Sequence, residues 1–561
     1  MTGKKAPVEK NQEIELEISG LGNNGEGIGR YKGFTIMVPG MLPGERGKVH
    51  IVQVRTRFAF GKMIKPERSS KDRIKPSCPL DGHCGGCQLG HMSYEAQLEY
   101  KRNKVKNDLV HIGHFSEESI ELLMEKKTRG MDPSSFLHYR NKAQFPVRMV
   151  EDQAEAGFYA PRSHRLLPTV DCRIQSEKAN ELICRIMEEV RRTRLSVYDE
   201  ESGYGLLRHV LIRTAQATGQ VSVCFVINGK NLPGSGNWCR FMQDMGVTGF
   251  ALNINVENTN VILGRETVPM YGELFIEDKI DELTFRISPA SFYQVNSVQM
   301  RELYHCALDM AGLTGSETVW DAYCGTGTIS LFLAQNAERV YGVEIVPDAI
   351  VNARENARIN HIENAEFYTG KAEEVIPRLY REQGIRADVM VVDPPRAGCE
   401  KVLLDTFLQM QPERIVYVSC DPATLARDLD ILCHGAAEGD KSYKITEIRT
   451  VDMFPNTMHV ETVVQLVRKK PDDYIRIKMD MEDFDLTQSE SKATYDDIKS
   501  YVQQNHGMKV SSLYIAQIKE KYGIKERENY YLGEEGHHVP QCTPEKEEAI
   551  VEALKHFQMI S

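Results

Sequence analysis

Residues 317–334 read ETVWDAYCGTGTISLFLA, and this stretch decides the fold class of the most regular part of the chain. Val319 to Ala322 are predicted to form a strand. Gly325 and Gly327 then allow a sharp turn, and an apolar helix begins near Thr328. A strand, a glycine turn and a helix in this order place backbone N–H groups and a helix N-terminus at the site of a nucleoside cofactor.

Two further strands support this interpretation. RVYGVEIVPDAI (339–350) gives a second strand ending in Glu344, and ADVMVVDPPRAG (387–398) gives a third ending at Asp393. An acidic residue at the end of the second strand can accept hydrogen bonds from both ribose hydroxyls of a nucleoside. Ligands of such sheets bind at the carboxyl ends of the strands, so Tyr323 and both carboxylates should lie at one site.

The alternative is a dinucleotide oxidoreductase on a similar sheet. Its fingerprint contains a third glycine, which Cys-Gly-Thr-Gly-Thr-Ile-Ser (324–330) lacks, so we favour a methyl donor, S-adenosylmethionine. Strand and helix patterns alternate from about 300 to 470, which predicts a parallel, doubly wound sheet.

A fourth strand carries the candidate nucleophile. RIVYVSCDPATLARDL (414–429) places Cys420 at the end of a buried strand and before a helix that begins near Thr424. The helix N-terminus should favour the thiolate, although a buried structural cysteine is the common alternative. On the last strand, Glu461 lies among valines with His459 nearby, and desolvation there would raise its pKa. A solvated strand carboxylate is the alternative for Glu461.

The composition limits the remaining possibilities. Hydrophobic residues make up 41% of the 561 residues, yet no apolar run approaches the length of a membrane helix, and no apolar core follows the first lysines. The thirteen cysteines form one tight group and no regular framework, which favours a reducing compartment. We therefore expect a cytoplasmic protein that does not contact membranes.

The four motifs together resemble a known family. DAYCGTGTIS, DPPRAG, SCDPATLARDL and MHVET, in this order, resemble the RNA (uracil-5-)-methyltransferases, and most closely those that act on 23S ribosomal RNA. The resemblance covers about residues 10 to 470. It implies that Cys420 is the nucleophile and Glu461 the proton acceptor. A thiolate adds to carbon 6 of uracil, and carbon 5 then becomes nucleophilic enough to take the methyl group.

The resemblance also implies a set of binding residues. In SPASFYQVN (288–296), Gln294 matches the family's cofactor-binding glutamine, and Phe292 lies beside it as a candidate RNA contact. The implied cofactor-binding positions are Gln294, Tyr323, Gly325, Gly327, Glu344 and Asp393. Asp393 is alternatively the residue that holds the uracil edge. In HYRNKAQFPVR (138–148), the candidate phosphate contacts are Arg140, Lys142 and Arg148.

The cysteine group resembles that of the family members that carry a 4Fe-4S cluster. Cys78, Cys84 and Cys87 lie close together, and Cys172 follows far downstream. Four thiolates can equally hold a structural zinc, but zinc sites usually pair two short Cys-x-x-Cys units, which favours the cluster. We expect the cluster to have a structural role, in which it holds the central domain in a fixed conformation for RNA binding.

These patterns predict a multi-domain α/β protein. We expect an N-terminal OB-like β-barrel of the TRAM type over 10–68 and a central α+β domain with the iron–sulfur cluster over 69–290. A Rossmann-like class I methyltransferase domain over 291–470 and a small, acidic α-helical appendage over 471–561 complete the chain. The basic, phenylalanine-containing stretch 54–76 fits an RNA-binding exit from the barrel. Family members usually end near Lys470, so the appendage is expected to contact a protein or to add stability. A monomer is expected.

Three alternatives remain. The first keeps the chemistry and changes the substrate to transfer RNA, because substrate choice depends on RNA shape. The second is a non-catalytic iron–sulfur RNA-binding protein, which predicts loss of Cys420 or Glu461, whereas both are present. The third is an iron–sulfur oxidoreductase, for which the sequence contains no flavin or nicotinamide signature.

Overall fold

The structure, a computed structural model, describes residues 6–435, 442–469, 495–522, 542–557 and 559–560. The chain divides into two compact units, Met1–Tyr474 and Ile475–Ser561. The first part of the predicted appendage, 471–494, lies outside the described residues.

The N-terminal strands close into a barrel in the order β1-β2-β3-β5-β4. Its strands are β1 (Glu13–Leu21), β2 (Gly27–Tyr31), β3 (Phe34–Val38), β4 (Arg46–Val54) and β5 (Phe58–Arg68). In β1, every second side chain is buried, and Ile14, Leu16 and Ile18 fill the interior. A Cβ on Gly29 would lie 2.5 Å from the Glu17 carbonyl, so this strand crossing requires glycine. The predicted barrel is confirmed.

Two helices, α1 (Tyr94–His111) and α2 (Glu117–Leu123), follow the cysteine group. A mixed seven-stranded sheet comes next, in the order β12-β11-β10-β9-β6-β7-β8. Its elements are β6 (Lys142–Val150), β7 (Gln153–Tyr159), β8 (Leu166–Pro168), α3 (Glu177–Thr193), β9 (Leu207–Thr214), β10 (Val221–Ile227), α4 (Ser235–Asp244), β11 (Gly249–Ile254) and β12 (Glu266–Tyr271). The apolar face of α3, with Ile183, Ile186 and Val190, packs into the core against this sheet.

The second seven-stranded sheet has the order β17-β16-β15-β18-β19-β21-β20 and is of the Rossmann type. The first five strands in this order, β17, β16, β15, β18 and β19, are parallel. Strand β21 runs antiparallel to both β19 and β20. The elements of this part are β13 (Ile276–Ile280), β14 (Leu283–Ile287), α5 (Ser297–Ala311), β15 (Thr318–Ala322), α6 (Thr328–Ala334), β16 (Arg339–Glu344), α7 (Pro347–Ile359), β17 (Ala365–Thr369), α8 (Ala372–Gln383), β18 (Val389–Val392), α9 (Lys401–Met410), β19 (Arg414–Ser419), α10 (Pro422–His434), β20 (Tyr443–Val451) and β21 (Glu461–Arg468).

Two segments from the predicted central domain pack on this second sheet instead. Val105 and Leu109 of α1 join the core on one face, together with Ile120 of α2. On the other face, the β13–β14 hairpin contributes Ile276 and Phe285. A largely parallel sheet is stable only when both of its faces are covered, and distant segments supply part of that cover here. The expected domain boundary at residue 290 therefore separates segments that pack in the same hydrophobic core around the second sheet.

The second unit contains three described helices, α11 (Tyr495–His506), α12 (Ser512–Lys521) and α13 (Pro544–His556). They share a small apolar core that includes Ile498, Val502, Ile515 and Ile550. Among the described residues, none of the helices combines the length and apolar character needed to cross a membrane.

Candidate active site

A cavity of about 810 Å³ opens at the carboxyl ends of the parallel strands of the second sheet. This volume lies within the range of small-molecule binding sites. The cavity brings together the predicted site residues Phe292, Gln294, Tyr323, Gly325, Glu344, Asp393, Cys420 and Glu461. It is also lined by Asp321, Arg396, Phe454 and His459.

One half of the cavity is shaped by the backbone after β15. Tyr323, Gly325 and Gly327 all have left-handed conformations, with φ of 68°, 55° and 79°. Apart from its chain neighbours, no atom of the described residues lies within 4 Å of the position that a Cβ on Gly325 would take, so a ligand can approach this backbone closely. A Cβ on Gly327 would instead lie 3.0 Å from Ala353, because Gly327 caps α6 at a tight crossing. The two glycines therefore have different roles.

Glu344 closes this half of the cavity at the end of β16. Its carboxylate accepts hydrogen bonds from the Gly325 N–H (3.2 Å) and the Val346 N–H (2.9 Å). These bonds fix the carboxylate at the cavity wall, where further lone pairs can accept ribose hydroxyls. The open backbone at Gly325, the fixed carboxylate and the cavity volume together fit a nucleoside cofactor.

Phe292 and Gln294 approach the cavity from the segment before α5. Phe292 is 68% exposed, whereas Gln294 is buried and its backbone carbonyl accepts a hydrogen bond from the Asn141 amide (2.9 Å). An exposed aromatic ring at the mouth of a cavity is suited to stacking on a base.

Asp321 is a cavity residue that the sequence analysis did not single out. It is fully buried in β15, accepts a hydrogen bond from the Ser330 hydroxyl (2.5 Å), and burial raises its pKa to about 7. Its sequence signal was an acidic residue inside an apolar strand, four residues before the first glycine of the turn.

Cys420 lies between β19 and α10 in the other half of the cavity. Asp421 caps α10, and its carboxylate accepts the N–H groups of Ala423 and Thr424 at 3.1 Å. The expectation that the helix N-terminus favours the thiolate is wrong for the free protein. Burial, together with the nearby Glu461 and Asp393, raises the pKa of Cys420 to about 12. Desolvation and two carboxyls outweigh the helix dipole.

Glu461 and Asp393 form a buried acidic pair beside Cys420. Glu461, the first residue of β21, is only 3% exposed. Burial raises the pKa of both carboxyls, Asp393 raises that of Glu461 further, and Arg396 opposes this effect. The predicted desolvation of Glu461 is confirmed. Because neighbouring like charges disfavour simultaneous ionisation, the pair favours a state in which one carboxyl is protonated.

His459 is neutral in this environment. Burial, together with Arg396 and Lys104, lowers its pKa to about 4. Its ring lies 6.0 Å from that of Phe454, edge to face, and both rings line the cavity. A neutral imidazole offers one donor and one acceptor to a bound ligand.

The four candidate metal ligands are near enough to influence one another electrostatically. Burial, together with Cys172, Cys84 and Cys78, raises the pKa of the Cys87 thiol to about 12. All four are free thiols that are partly buried. The donor type fits a thiolate-ligated group. Within the ranges that the structure describes, however, no three His, Cys, Asp or Glu side chains are placed so that they could hold a metal ion.

The candidate phosphate contacts lie on or just before β6, a strand between β9 and β7. Burial, followed by Arg213, lowers the pKa of Lys142 to about 8. Arg140 is partly buried and precedes the strand. Arg148 does not present its guanidinium at the surface. It is 11% exposed, pairs with Glu200 and donates to the Tyr159 hydroxyl (2.6 Å), because polar groups on an inner strand are satisfied by their neighbours.

Comparison with known families gives two matches. The profile of the tRNA (Uracil-5-)-methyltransferase family matches residues 93–469, and that of the TRAM domain matches residues 7–64. The first match covers both seven-stranded sheets, and the second covers most of the barrel.

Relatives of similar length are named as RNA methyltransferases. An uncharacterized RNA methyltransferase of Clostridium acetobutylicum is 47% identical over 467 residues, which is 83% of this chain and 99% of the relative. Another, from Halalkalibacterium halodurans, is 45% identical over 84% of this chain and 100% of the relative. Among solved structures, Pyrococcus abyssi tRNA (uracil-54, C5)-methyltransferase in complex with S-adenosyl-L-homocysteine has a TM-score of 0.64 and 29% identity. That match covers 81% of this chain and 99% of the other.

Proposed function

The chain belongs to the tRNA (uracil-5-)-methyltransferase family, and on that premise we propose that it methylates carbon 5 of uridine in 23S ribosomal RNA through a covalent Cys420 adduct. It is an S-adenosylmethionine-dependent RNA methyltransferase with an N-terminal TRAM domain. The observation that carries the proposal is the placement of Cys420, Asp393 and Glu461 in one cavity with the cofactor-binding backbone of β15.

Cys420 supplies the step that uracil needs. The thiolate adds to carbon 6, and the electron pair moves onto carbon 5 and the carbonyl at carbon 4. When bound, S-adenosylmethionine supplies an electrophilic methyl group for carbon 5. Gly325 leaves open space beside its backbone, and Glu344 would hold the ribose of the cofactor, which would align the two reactants.

Two proton transfers are needed, one from the Cys420 thiol and one from carbon 5 of the uracil. Cys420 is a thiol in the free protein and must lose its proton to solvent before it adds to carbon 6, so that the Asp393–Glu461 pair keeps one carboxylate as a base. After methylation, carbon 5 still carries its original hydrogen. Glu461 removes this proton, and the electron pair expels the Cys420 thiolate from carbon 6. A carboxyl whose pKa is raised by burial is a stronger base than an exposed one.

One labelling experiment tests the proposal. The protein is incubated with methyl-labelled S-adenosylmethionine and with 23S ribosomal RNA or transfer RNA from a strain that lacks it. The labelled nucleoside is then identified. We expect label in 5-methyluridine from 23S ribosomal RNA and none with the matched Cys420→Ala variant. Absence of label in both RNAs would contradict the enzymatic function.

Transfer RNA is the second candidate substrate. It is favoured by the similarity to the Pyrococcus abyssi enzyme, which acts on uracil-54 of transfer RNA. Label confined to transfer RNA in the same experiment would establish this alternative in place of the ribosomal one.

We also propose that Cys78, Cys84, Cys87 and Cys172 hold a 4Fe-4S cluster. The mutual effect of the four thiols on the pKa of Cys87 supports their proximity. Iron, sulfide and zinc are measured after anaerobic purification, with Cys184→Ser as a control because Cys184 is a partly buried thiol outside the group. Four irons and four sulfides per chain, lost with Cys172→Ser and kept with Cys184→Ser, are expected; one zinc without sulfide would contradict the cluster.

A further inference from the structure

Residues 452–458, which follow β20 in the connection to β21, form part of the wall of the catalytic cavity and are called the active-site loop below. Phe454 belongs to this loop, and His459 follows it directly; both line the cavity with Cys420 and Glu461. Loops of this kind need external anchors, because they lack the hydrogen bonds of a sheet.

The first anchor lies at the start of the loop. Asp452 is paired with Lys101 of α1, and neither side chain has any exposure to solvent. The Tyr94 hydroxyl also donates to Asp452 (2.8 Å), and the Lys101 ammonium donates to the Phe454 carbonyl (3.0 Å). A buried ion pair with these additional bonds fixes the orientation of the chain at this point.

The second anchor is Asn456, at the middle of the loop. Its backbone N–H donates to the Gln97 side-chain carbonyl (2.9 Å), and the Gln97 amide donates to the Asn456 side-chain carbonyl (3.2 Å). The Asn456 backbone carbonyl accepts from the N–H groups of Gln88 (3.1 Å) and Leu89 (3.0 Å). Asn456 is 8% exposed and has a left-handed conformation, with φ of 67°.

These bonds connect the loop to the cysteine group. Gln88 directly follows Cys87, and its side-chain carbonyl accepts from the Met458 N–H (3.4 Å) while its amide donates to the Gly85 carbonyl (3.0 Å). The two-residue segment Gln88–Leu89 therefore directly follows Cys87 in the chain and holds the active-site loop through its backbone.

We propose that Asn456 is a positioning residue for the target uridine: with Gln97 and the Gln88–Leu89 backbone, it fixes the loop that presents Phe454 and His459. The inference rests on the proposed function, since the occupant of that half of the cavity is the uridine. It assigns the loop to substrate positioning and leaves cofactor binding to the β15 and β16 side of the cavity.

Asparagine is suited to this position for two separate reasons. Among residues with a Cβ, asparagine adopts the left-handed conformation with little cost, and its amide completes the reciprocal pair with Gln97. Asn456→Gly keeps the conformation and removes the amide, whereas Asn456→Ala loses both. Gln97→Ala removes the partner from the side of α1.

The test compares these three variants with Asn253→Ala. Asn253 is a buried amide in the central sheet that donates to the Gly264 carbonyl (3.0 Å) and to Thr267 (2.9 Å), and it does not line the cavity. Asn253→Ala therefore controls for general loss of stability. We measure kcat and KM for RNA, the Kd for S-adenosyl-L-homocysteine, and amide hydrogen exchange of the peptide that spans the loop.

We expect kcat/KM to fall about 100-fold for Asn456→Ala and about 5-fold for Asn456→Gly, because small displacements of a reactant are costly. Gln97→Ala should also lower it. The Kd for S-adenosyl-L-homocysteine should stay within about twofold, a smaller change than one hydrogen bond produces, and the loop amides should lose protection in all three variants. Asn253→Ala should leave these values unchanged.

Three results would overturn the inference: unchanged loop protection in Asn456→Ala, a parallel loss of S-adenosyl-L-homocysteine affinity, or an equal loss of kcat/KM in Asn253→Ala. Failure of the proposed function has a different signature. In that case the unmodified protein methylates neither RNA, while hydrogen exchange still reports whether Asn456 holds the loop.

Discussion

The two halves of the catalytic cavity obtain their properties in different ways. The cofactor half depends on backbone conformation: left-handed residues after β15 open a cradle, and two backbone N–H groups fix Glu344. The nucleophile half depends on desolvation, because burial raises the pKa of Cys420, Asp393 and Glu461. One half is built to bind and the other to transfer protons and form a bond, so substitutions in the two halves should have separable effects.

The largest expected effect is that of Cys420→Ala. Removing the nucleophile should lower the methylation rate by at least about 10⁴-fold, because uracil carbon 5 is then never activated. Affinity for S-adenosyl-L-homocysteine, measured by calorimetry, should change little, since Cys420 is outside the cofactor half. A variant that still methylates at the normal rate would contradict the covalent mechanism.

Glu461→Gln should lower the rate by about 10³-fold and change which species accumulates. Without a base, the methylated adduct keeps its carbon 5 proton and Cys420 stays bound to carbon 6. A protein–RNA complex that resists denaturation should therefore accumulate on gels, more than with the unmodified protein. If turnover slowed and no such complex appeared, Glu461 would act before methylation instead.

In the cofactor half, Glu344→Ala should raise the Kd for S-adenosyl-L-homocysteine about 30-fold, as expected for losing two hydrogen bonds to a charged acceptor. The intact Cys420 should still form a covalent complex with RNA. Asp348→Ala is a suitable control, because this carboxylate also lines the cavity but lies beyond β16, at the start of α7. If Asp348→Ala raised this Kd as much as Glu344→Ala, the assignment of Glu344 as the ribose-binding carboxylate would be contradicted.

The pH dependence provides the smallest effect, about tenfold per pH unit on the acidic limb. Glu461 must be ionised to act as a base, and burial raises its pKa above the ordinary carboxyl range. As the pH decreases, activity should therefore begin to fall at a higher pH than it would if the base were an exposed carboxylate. Single-turnover rates from about pH 5 to about pH 9 measure this limb. A profile whose limb lies at the ordinary glutamate pKa would show that Glu461 is not the desolvated base.

The sequence contained most of the local information about the cavity. The glycine turn, the acidic ends of β16 and β18, and Cys420 after β19 follow from strand and helix patterns, because parallel strands bring their carboxyl ends to one edge. The protonation of Cys420 did not follow, since it depends on burial and on Glu461 and Asp393, which are distant in sequence. The packing of α1 on the second sheet was missed for the same reason.

The candidate RNA surface shows a second limit of sequence patterns. Arg148 was expected to contact phosphate, but it lies on β6 and its guanidinium is paired with Glu200 and Tyr159. Asn456 gave no sequence signal either, because its partners Gln97 and Gln88 are more than three hundred residues away in the chain.

The most direct test of the central claim uses RNA in which uridine is replaced by 5-fluorouridine. With fluorine in place of hydrogen, carbon 5 of the methylated adduct has no proton that a base can remove. The adduct should therefore remain attached to the protein. Digestion and mass spectrometry should then find the modified, methylated nucleotide on the peptide that contains Cys420, and only when S-adenosylmethionine is present. Absence of a covalent complex, or attachment to any residue other than Cys420, would contradict the account.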